Sequence, residues 1–296
     1  MQYFNSNTKL YLNGRFEDAA EATTDLYSQS LHYGYAVFEG IRAYNTHNGT
    51  RVFKAREHFE RLRRSAELVH IPFTWDINKL IKQTYRLLEI NNLKDAYVRP
   101  LVFCPPAMSL AAAQDASIMI CAWEWGAYLG HKLLKVGVSE FERPNPKSVP
   151  IEAKVSGSYV NSILATTAAK RKGFDEALLL DMYGNIAEAP GANIFVEKQG
   201  KLFTPPLGNI LPGITRATVI ELCRILDIEL IEKHLSVRDL KHADSAFFCG
   251  TATEIAGIES VDEYTFPLKW SESVGATVQR TYKSLVLEKQ SYEVII

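Results

Sequence analysis

"EAKVSGSYVNSILATTAAKRKG", Glu152 to Gly173, holds one lysine that has no ordinary reason to be where it is. Lys170, Arg171 and Lys172 close a helix just before the Gly173 stop, where cations face the negative end of the helix dipole. Lys154 comes before that helix, which the pattern predicts from about Tyr159 to Lys172. It stands among alanine, valine, serine and glycine, with few other charges near it. One reading is bland: the amine snorkels from a loop into water, as most lysines do. The other is chemical. Desolvation penalises a charged amine, and a neutral amine can attack an aldehyde to form a Schiff base.

The bulk of the chain bounds the choice. Its 296 residues suggest two domains. With 47% apolar and 23% charged residues the composition is globular. A net charge of -1 argues against a nucleic-acid partner, which needs a basic field. No apolar run reaches transmembrane length, so no membrane partner is expected. The opening "MQYFNSNTKLYLNG" lacks a basic segment followed by an apolar one. Cys104, Cys121, Cys223 and Cys249 are scattered, with no CxxC pair, so neither a metal knuckle nor a disulfide framework is expected. A reducing cytoplasm is the expected setting.

Working outward along the chain, "KLYLNGRFEDA" alternates around Asn13-Gly14 and predicts a hairpin. "FKAREHFERLRRSAELV" has helical periodicity, with Phe59, Leu62 and Ala66 on one side. "DINKLIKQTYRLLEI" predicts a second amphipathic helix capped by Asp76. "AYVRPLVFC", "ASIMICAWEW" and "LLKVGVSEF" read as strands. So do "EALLLDMYGNIAEA" and "ANIFVEKQGKLFTP", joined by glycine turns. A helix follows Pro212-Gly213, and "SAFFCGTATEIAGIESVD" is strand, turn, strand. There is no regular strand-helix alternation, which speaks against a doubly wound sheet. The glycine patterns match neither a dinucleotide fold nor a P-loop.

Three further features bear on Lys154. "GNIAEAPGANIF" puts Glu188 at a strand end, where a carboxylate can pair with a protonated pyridine nitrogen. "PGITRATVIEL" puts backbone N–H groups and the Thr215 hydroxyl at a helix N-terminus, an anion site by construction. "CGTATE" offers a second small-residue turn with the Thr251 hydroxyl. Taken singly each is a weak signal: the glutamate also reads as an exposed edge-strand residue, and Thr215 as an ordinary threonine near a helix start. Their order, lysine then glutamate then two anion turns, is the informative part.

These stretches, together with "LHYGYAVFEGIRAY", "REHFERLRRSA", "AYVRPLVF", "WGAYLG", "AKVSGSYVNS", "NIAEAPGANIF", "LPGITRATV" and "CGTATEIAGI", resemble the branched-chain amino acid aminotransferases of the fold type IV, class IV pyridoxal-phosphate enzymes. The resemblance covers most of the chain. It implies a mixed α+β, two-domain enzyme with its cofactor at the domain interface. A small N-terminal domain over 1–125 would be followed by an interdomain loop over 126–135. A large C-terminal domain over 136–296 would carry the lysine. By position, the resemblance makes Lys154 the Schiff-base lysine, Glu188 the pyridinium partner and Tyr159 the hydroxyl beside the ring oxygen. It makes Arg61, Ile214, Thr215 and Thr251 the phosphate grip. For Arg61 the competing reading is a solvated helix face shared with Arg63 and Arg64.

The same resemblance places substrate beside Tyr33, Phe38, Gly40, Tyr97, Arg99, Trp125, Tyr128, Thr251 and Ala252. Tyr97 and Arg99 have strand spacing and face one way. An aromatic box removes a branched aliphatic side chain from water; the alternative is that these aromatics are core. Arg99, a charge in an apolar strand, needs a partner, and a substrate carboxylate would serve. The implied reaction is ping-pong transamination between leucine, isoleucine or valine and 2-oxoglutarate. The implied partners are amino acids, 2-oxo acids and a second copy, as a homodimer or higher homo-oligomer. The chain departs from the family in "CPPAMSLAAAQDA", in Ser158 and in "EAPGA". The rivals are a D-amino acid aminotransferase, an (R)-selective amine transaminase or an aminodeoxychorismate lyase on the same scaffold. A phosphate-holding protein without catalysis is a rival of another class. A hydrolase has no GxSxG elbow to support it.

Overall fold

A computed structural model describes residues 3–125 and 132–288. The chain divides into two compact units, Met1–Gly126 with Ala153–Ser158, and Ala127–Glu152 with Tyr159–Ile296. Among the described residues no helix is long and apolar enough to cross a membrane.

The first unit is a sheet backed by helices. Its elements are β1 (Lys9–Leu12), β2 (Arg15–Asp18), α1 (Gln29–Tyr33), β3 (Ala36–Phe38), β4 (Ile41–Thr46) and β5 (Gly49–Val52). Then come α2 (Ala55–Leu68), α3 (Ile77–Ile90), β6 (Ala96–Phe103) and β7 (Ser117–Glu124). Strand order is β2-β1-β7-β6-β4-β5, with β3 also paired to β6. The Asn13-Gly14 hairpin forms as expected, with Leu12 opposite Arg15. Asp76 caps α3 by accepting from the Lys79 N–H. One face of β6 carries Val98 and Val102 into a core shared with Phe59 and Leu62 of α2 and Leu80 and Leu87 of α3. Each such side chain contributes about 1.5–3 kcal/mol by leaving water. The other face carries Tyr97 and Arg99, so the pleat separates core from candidate site.

Ala153–Ser158 packs with this first unit. That differs from the expectation that Lys154 belongs to the segment beginning at 136. The reason is local: the Phe38 N–H donates to the Lys154 carbonyl at 3.1 Å, and the Lys154 N–H donates to Ser65 Oγ at 3.0 Å. Val155 also bridges to Val37. Most of the expected interdomain loop, 126–131, lies outside the described residues.

The second unit contains β8 (Leu134–Val138), α4 (Tyr159–Arg171), β9 (Glu176–Leu180), β10 (Ile186–Ala189), β11 (Ala192–Lys198) and β12 (Lys201–Thr204). It continues with α5 (Ile214–Ile225), β13 (Leu230–Glu232), α6 (Val237–Leu240), β14 (Ser245–Gly250), β15 (Glu254–Val261), β16 (Tyr264–Thr265) and α7 (Val274–Leu287). Its strand order runs β10-β9-β8-β15-β14-β11-β12-β13. Because β10 pairs with β11 as well as β9, the hydrogen bonding closes on itself through β8, β9, β10, β11, β14 and β15. Closure removes the exposed edges that an open sheet must protect. Glu188 lies on β10, opposite Asn193 of β11, at the seam of this ring.

Candidate active site

In the first unit, α2 lays His58, Arg61, Leu62 and Ser65 on one side by helical spacing. Ser65 holds the Lys154 backbone. The Lys154 amine stands 4.8 Å from the centre of the Phe38 ring. Beside it lies a charge cluster that the sequence reading missed. Glu39, fully buried, accepts from Arg61 Nε at 2.6 Å and Nη2 at 2.9 Å, from His58 Nδ1 at 2.7 Å and from the Gly40 N–H at 3.2 Å. Burial would raise the Glu39 carboxyl, but the Arg61 and His58 charges and hydrogen bonds outweigh it and hold it well below the usual carboxylate range. Burial pushes His58 down, partly offset by Glu39, and Arg61 and Lys154 push it down further. An ionised carboxylate can only accept, so His58 Nδ1 carries a proton on the side facing Glu39. The signal for Glu39 was present: an acid inside the apolar run "AVFEGI" needs a partner as much as Arg99 does.

Arg61 does not share the solvated face. Its side chain is 11% exposed, while Arg63 and Arg64 are exposed. Several of the residues expected beside substrate gather around the outer face of β6. The Arg99 guanidinium lies over Phe38 at 4.6 Å, Tyr97 at 5.3 Å and Trp123 at 5.9 Å. Trp125 lies 5.1 Å from Tyr97. Arg99 Nε and Trp123 Nε1 are buried without a hydrogen-bond partner among the described residues. Arg99, Trp123, Trp125 and Cys121 border an open cleft of about 440 Å³. Gly40 is required there, since a Cβ would collide with the Tyr97 hydroxyl. Tyr33 stands exposed on α1, its hydroxyl donating to the Met108 carbonyl at 3.4 Å. Tyr128 lies outside the described residues.

The second unit builds around Glu188. Its oxygens accept from Asn193 Nδ2 at 3.0 Å and from the Leu211 N–H at 3.1 Å, with Arg143 Nε 2.9 Å away. Asn193 also donates to the Leu211 carbonyl, so one amide ties β11 to the turn that precedes α5. Gly213 is required because a Cβ would strike Asn193 Oδ1. It occupies the N-cap of α5, which has no side-chain cap. The leading N–H groups of Ile214 and Thr215 are therefore offered to an anion. Thr251 and Ala252 occupy the three-residue turn joining β14 to β15. Tyr159 opens α4 and is half-buried. Arg143 and Asn193 were not singled out from the sequence; an arginine in a proline-rich loop gives little hint of burial.

The profile of the family described as amino-transferase class IV matches residues 36–261. The chain belongs to the class IV aminotransferases. A branched-chain-amino-acid aminotransferase of Escherichia coli (strain K12) is 40% identical over 261 residues, covering 86% of this chain and 84% of that protein. Among solved structures, the branched-chain aminotransferase of Thermoproteus uzoniensis with norvaline superposes with a TM-score of 0.93 at 38% identity, over 97% of both chains. The branched-chain amino acid aminotransferase of Thermobaculum terrenum, in its PLP-form, gives 0.91 at 30%, again over 97% of both. The fold is thus the fold type IV aminotransferase fold that the sequence resemblance implied.

The cofactor of this class IV enzyme is pyridoxal 5'-phosphate. The residues present fit it. The second unit offers an uncapped helix N-terminus for a phosphate and, for a ring nitrogen, a carboxylate held by two hydrogen-bond donors beside the Arg143 charge. The first offers a primary amine on a doubly anchored backbone and a buried arginine.

Proposed function

We propose that this aminotransferase exchanges the amino group of leucine, isoleucine or valine with 2-oxoglutarate, and that Lys154 is its covalent lysine. The observation that carries the substrate reading is Arg99 among Phe38, Tyr97 and Trp123, its buried Nε lacking a partner among the described residues, beside an open cleft. One wall then serves both requirements of a two-substrate site: aromatic faces for a branched aliphatic chain and a guanidinium for a second carboxylate. The names of the similar proteins support the branched-chain half of the proposal.

Bound pyridoxal phosphate supplies an electron-withdrawing ring that spreads negative charge from the substrate Cα. Lys154 Nζ takes the Cα proton and returns one on the far side of that delocalised system. Glu188 keeps the proton on the pyridine nitrogen. Arg61, Thr251 and the Ile214 and Thr215 N–H groups hold the phosphate, and the Tyr159 hydroxyl meets the ring oxygen. Phe38, Gly40, Tyr97, Trp125, Tyr128, Ala252 and the Thr251 turn shape the substrate wall. Tyr33 completes it from the partner subunit of a homodimer, a role supported by its exposure beside exposed Leu26, Tyr27, Leu31, Met108 and Leu110. A cytoplasmic setting is supported by four free cysteines.

Borohydride reduction of the cofactor-loaded protein, followed by peptide mapping, should mark Lys154; an adduct elsewhere would remove its covalent role. Leucine with 2-oxoglutarate should give glutamate, and turnover of D-alanine or aminodeoxychorismate instead would overturn the substrate reading. Arg99→Ala should lower kcat/KM for 2-oxoglutarate by about 10- to 100-fold more than for leucine, the loss of one charged hydrogen-bonding partner. Equal losses would leave Arg99 only a structural part.

A further inference from the structure

We propose that Glu39 is a positioning residue: its carboxylate aims the Arg61 guanidinium at the cofactor phosphate. The proposal rests on the reading of Arg61 as part of the phosphate grip. Arginine is a long side chain that loses rotamer freedom when it binds. An arginine whose plane is already fixed loses less, so it binds a phosphate more tightly than a mobile one. Glu39 provides that fixing. It takes Nε and Nη2, the two donors of one guanidinium edge, at 2.6 and 2.9 Å. A planar group clamped along one edge presents its remaining edge in a single direction.

The clamp is itself rigid. Glu39 has no exposed surface, and its Oε2 also accepts from His58 Nδ1 and the Gly40 N–H. His58 is 1% exposed. Arg61 and His58 lie on the same side of α2 as Ser65, which holds the Lys154 backbone. One helix face therefore sets both the direction of the guanidinium and the place of the reactive lysine.

The rival is that Glu39 merely neutralises an arginine that folding would otherwise bury unpaired. The two accounts predict opposite signs. If Glu39 only neutralises, removing its negative charge leaves Arg61 more attractive to a phosphate dianion, and cofactor affinity rises. If Glu39 positions, the guanidinium wanders and affinity falls.

The experiment measures dissociation constants of pyridoxal phosphate and of pyridoxal, by absorbance titration of the cofactor-stripped full chain. The variants are Glu39→Gln, Arg61→Ala and the double variant. Glu39→Gln should weaken pyridoxal phosphate by about 10- to 100-fold and leave pyridoxal, which lacks the phosphate, nearly unchanged. Arg61→Ala should show the same phosphate-specific loss, and adding Glu39→Gln to it should change nothing more. An unchanged or tightened affinity in Glu39→Gln would overturn the proposal, as would a loss that persists in full on top of Arg61→Ala or that strikes pyridoxal equally. If Arg61→Ala itself leaves pyridoxal phosphate affinity intact, the phosphate role of Arg61 falls and takes the proposal with it. Should Glu39→Gln fail to fold, Glu39→Asp keeps the charge but withdraws it by one methylene. It should weaken pyridoxal phosphate selectively, and native affinity there would overturn the proposal.

Discussion

Glu39 and Glu188 are both buried carboxylates beside an arginine, yet they are held differently. Arg61 grips Glu39 through two aligned hydrogen bonds, and His58 and Gly40 satisfy what remains. Arg143 stands 2.9 Å from Glu188, but its Nε makes no aligned hydrogen bond; Asn193 and the Leu211 N–H supply those. On the proposed roles, the carboxylate in the first unit is the clamp and the arginine is what it presents. In the second the carboxylate would itself be presented, fixed by neutral donors while the arginine contributes charge. The same residue pair serves two ends, and the hydrogen-bond alignment tells them apart.

The sharpest test is at Lys154, the proposed covalent lysine. Lys154→Ala should lower kcat by more than about 10⁴-fold, roughly 5.5 kcal/mol, because it removes both nucleophile and proton carrier. Its backbone anchors to Phe38 and Ser65 do not depend on the side chain, so thermal unfolding of the cofactor-free protein should stay near native. Turnover well above background would end the assignment. Next comes stability. Glu39→Gln strands Arg61 in a buried site and should cost about 3–5 kcal/mol of unfolding free energy in urea titrations. Glu188→Gln keeps its neutral donors nearby and should cost about 1–3 kcal/mol. Equal costs would erase the distinction between clamp and presented group.

Close approach offers a smaller effect. Gly40→Ala should destabilise by about 1–3 kcal/mol through overpacking against Tyr97. It should also raise KM for the aliphatic substrate, since Tyr97 must shift. A native KM would place Tyr97 away from the substrate wall.

What the sequence revealed follows the range of the interactions. Local signals read correctly: the Asn13-Gly14 hairpin, the Asp76 cap and the helix beginning at Tyr159 each depend on neighbours within a few positions. Lys154 stood out because its own surroundings were wrong for a lysine. The clamp was missed because Glu39 and Arg61 are 22 residues apart on different elements, and neither shows its partner in its own periodicity. Closure of the second sheet was equally hidden: β10 pairs with β9 and β11 alike, which alternation cannot announce. Arg61 could be separated from Arg63 and Arg64 only by helical phase, which puts it beside His58 and Ser65. The placement of Lys154 with the first unit depends on backbone bonds to Phe38 and Ser65, and backbone bonds carry no side-chain signature.

The smallest effect is also the most specific to the clamp. Burial keeps His58 below its ordinary value of 6.5, so as pH falls through that value the unfolded imidazole takes a proton that the folded one refuses. Stability therefore begins to fall below about pH 6.5. Glu39 is held well below its ordinary 4.5, so its contribution is complete above that pH and drains away beneath it as the unfolded carboxyl protonates first. Each unit of pKa difference is worth about 1.4 kcal/mol. Urea midpoints measured from pH 8 to pH 3 should thus decline gently at first and more steeply at the acid end. His58→Gln should flatten the upper part and soften the lower, since His58 helps hold Glu39 down, whereas Glu39→Gln should flatten only the lower part, because a buried His58 still resists protonation without its carboxylate. Glu188→Gln should leave the upper part as in the native protein. If Glu39→Gln keeps the full acid slope, the charge of Glu39 is not what Arg61 and His58 hold in place, and the two glutamates are alike after all.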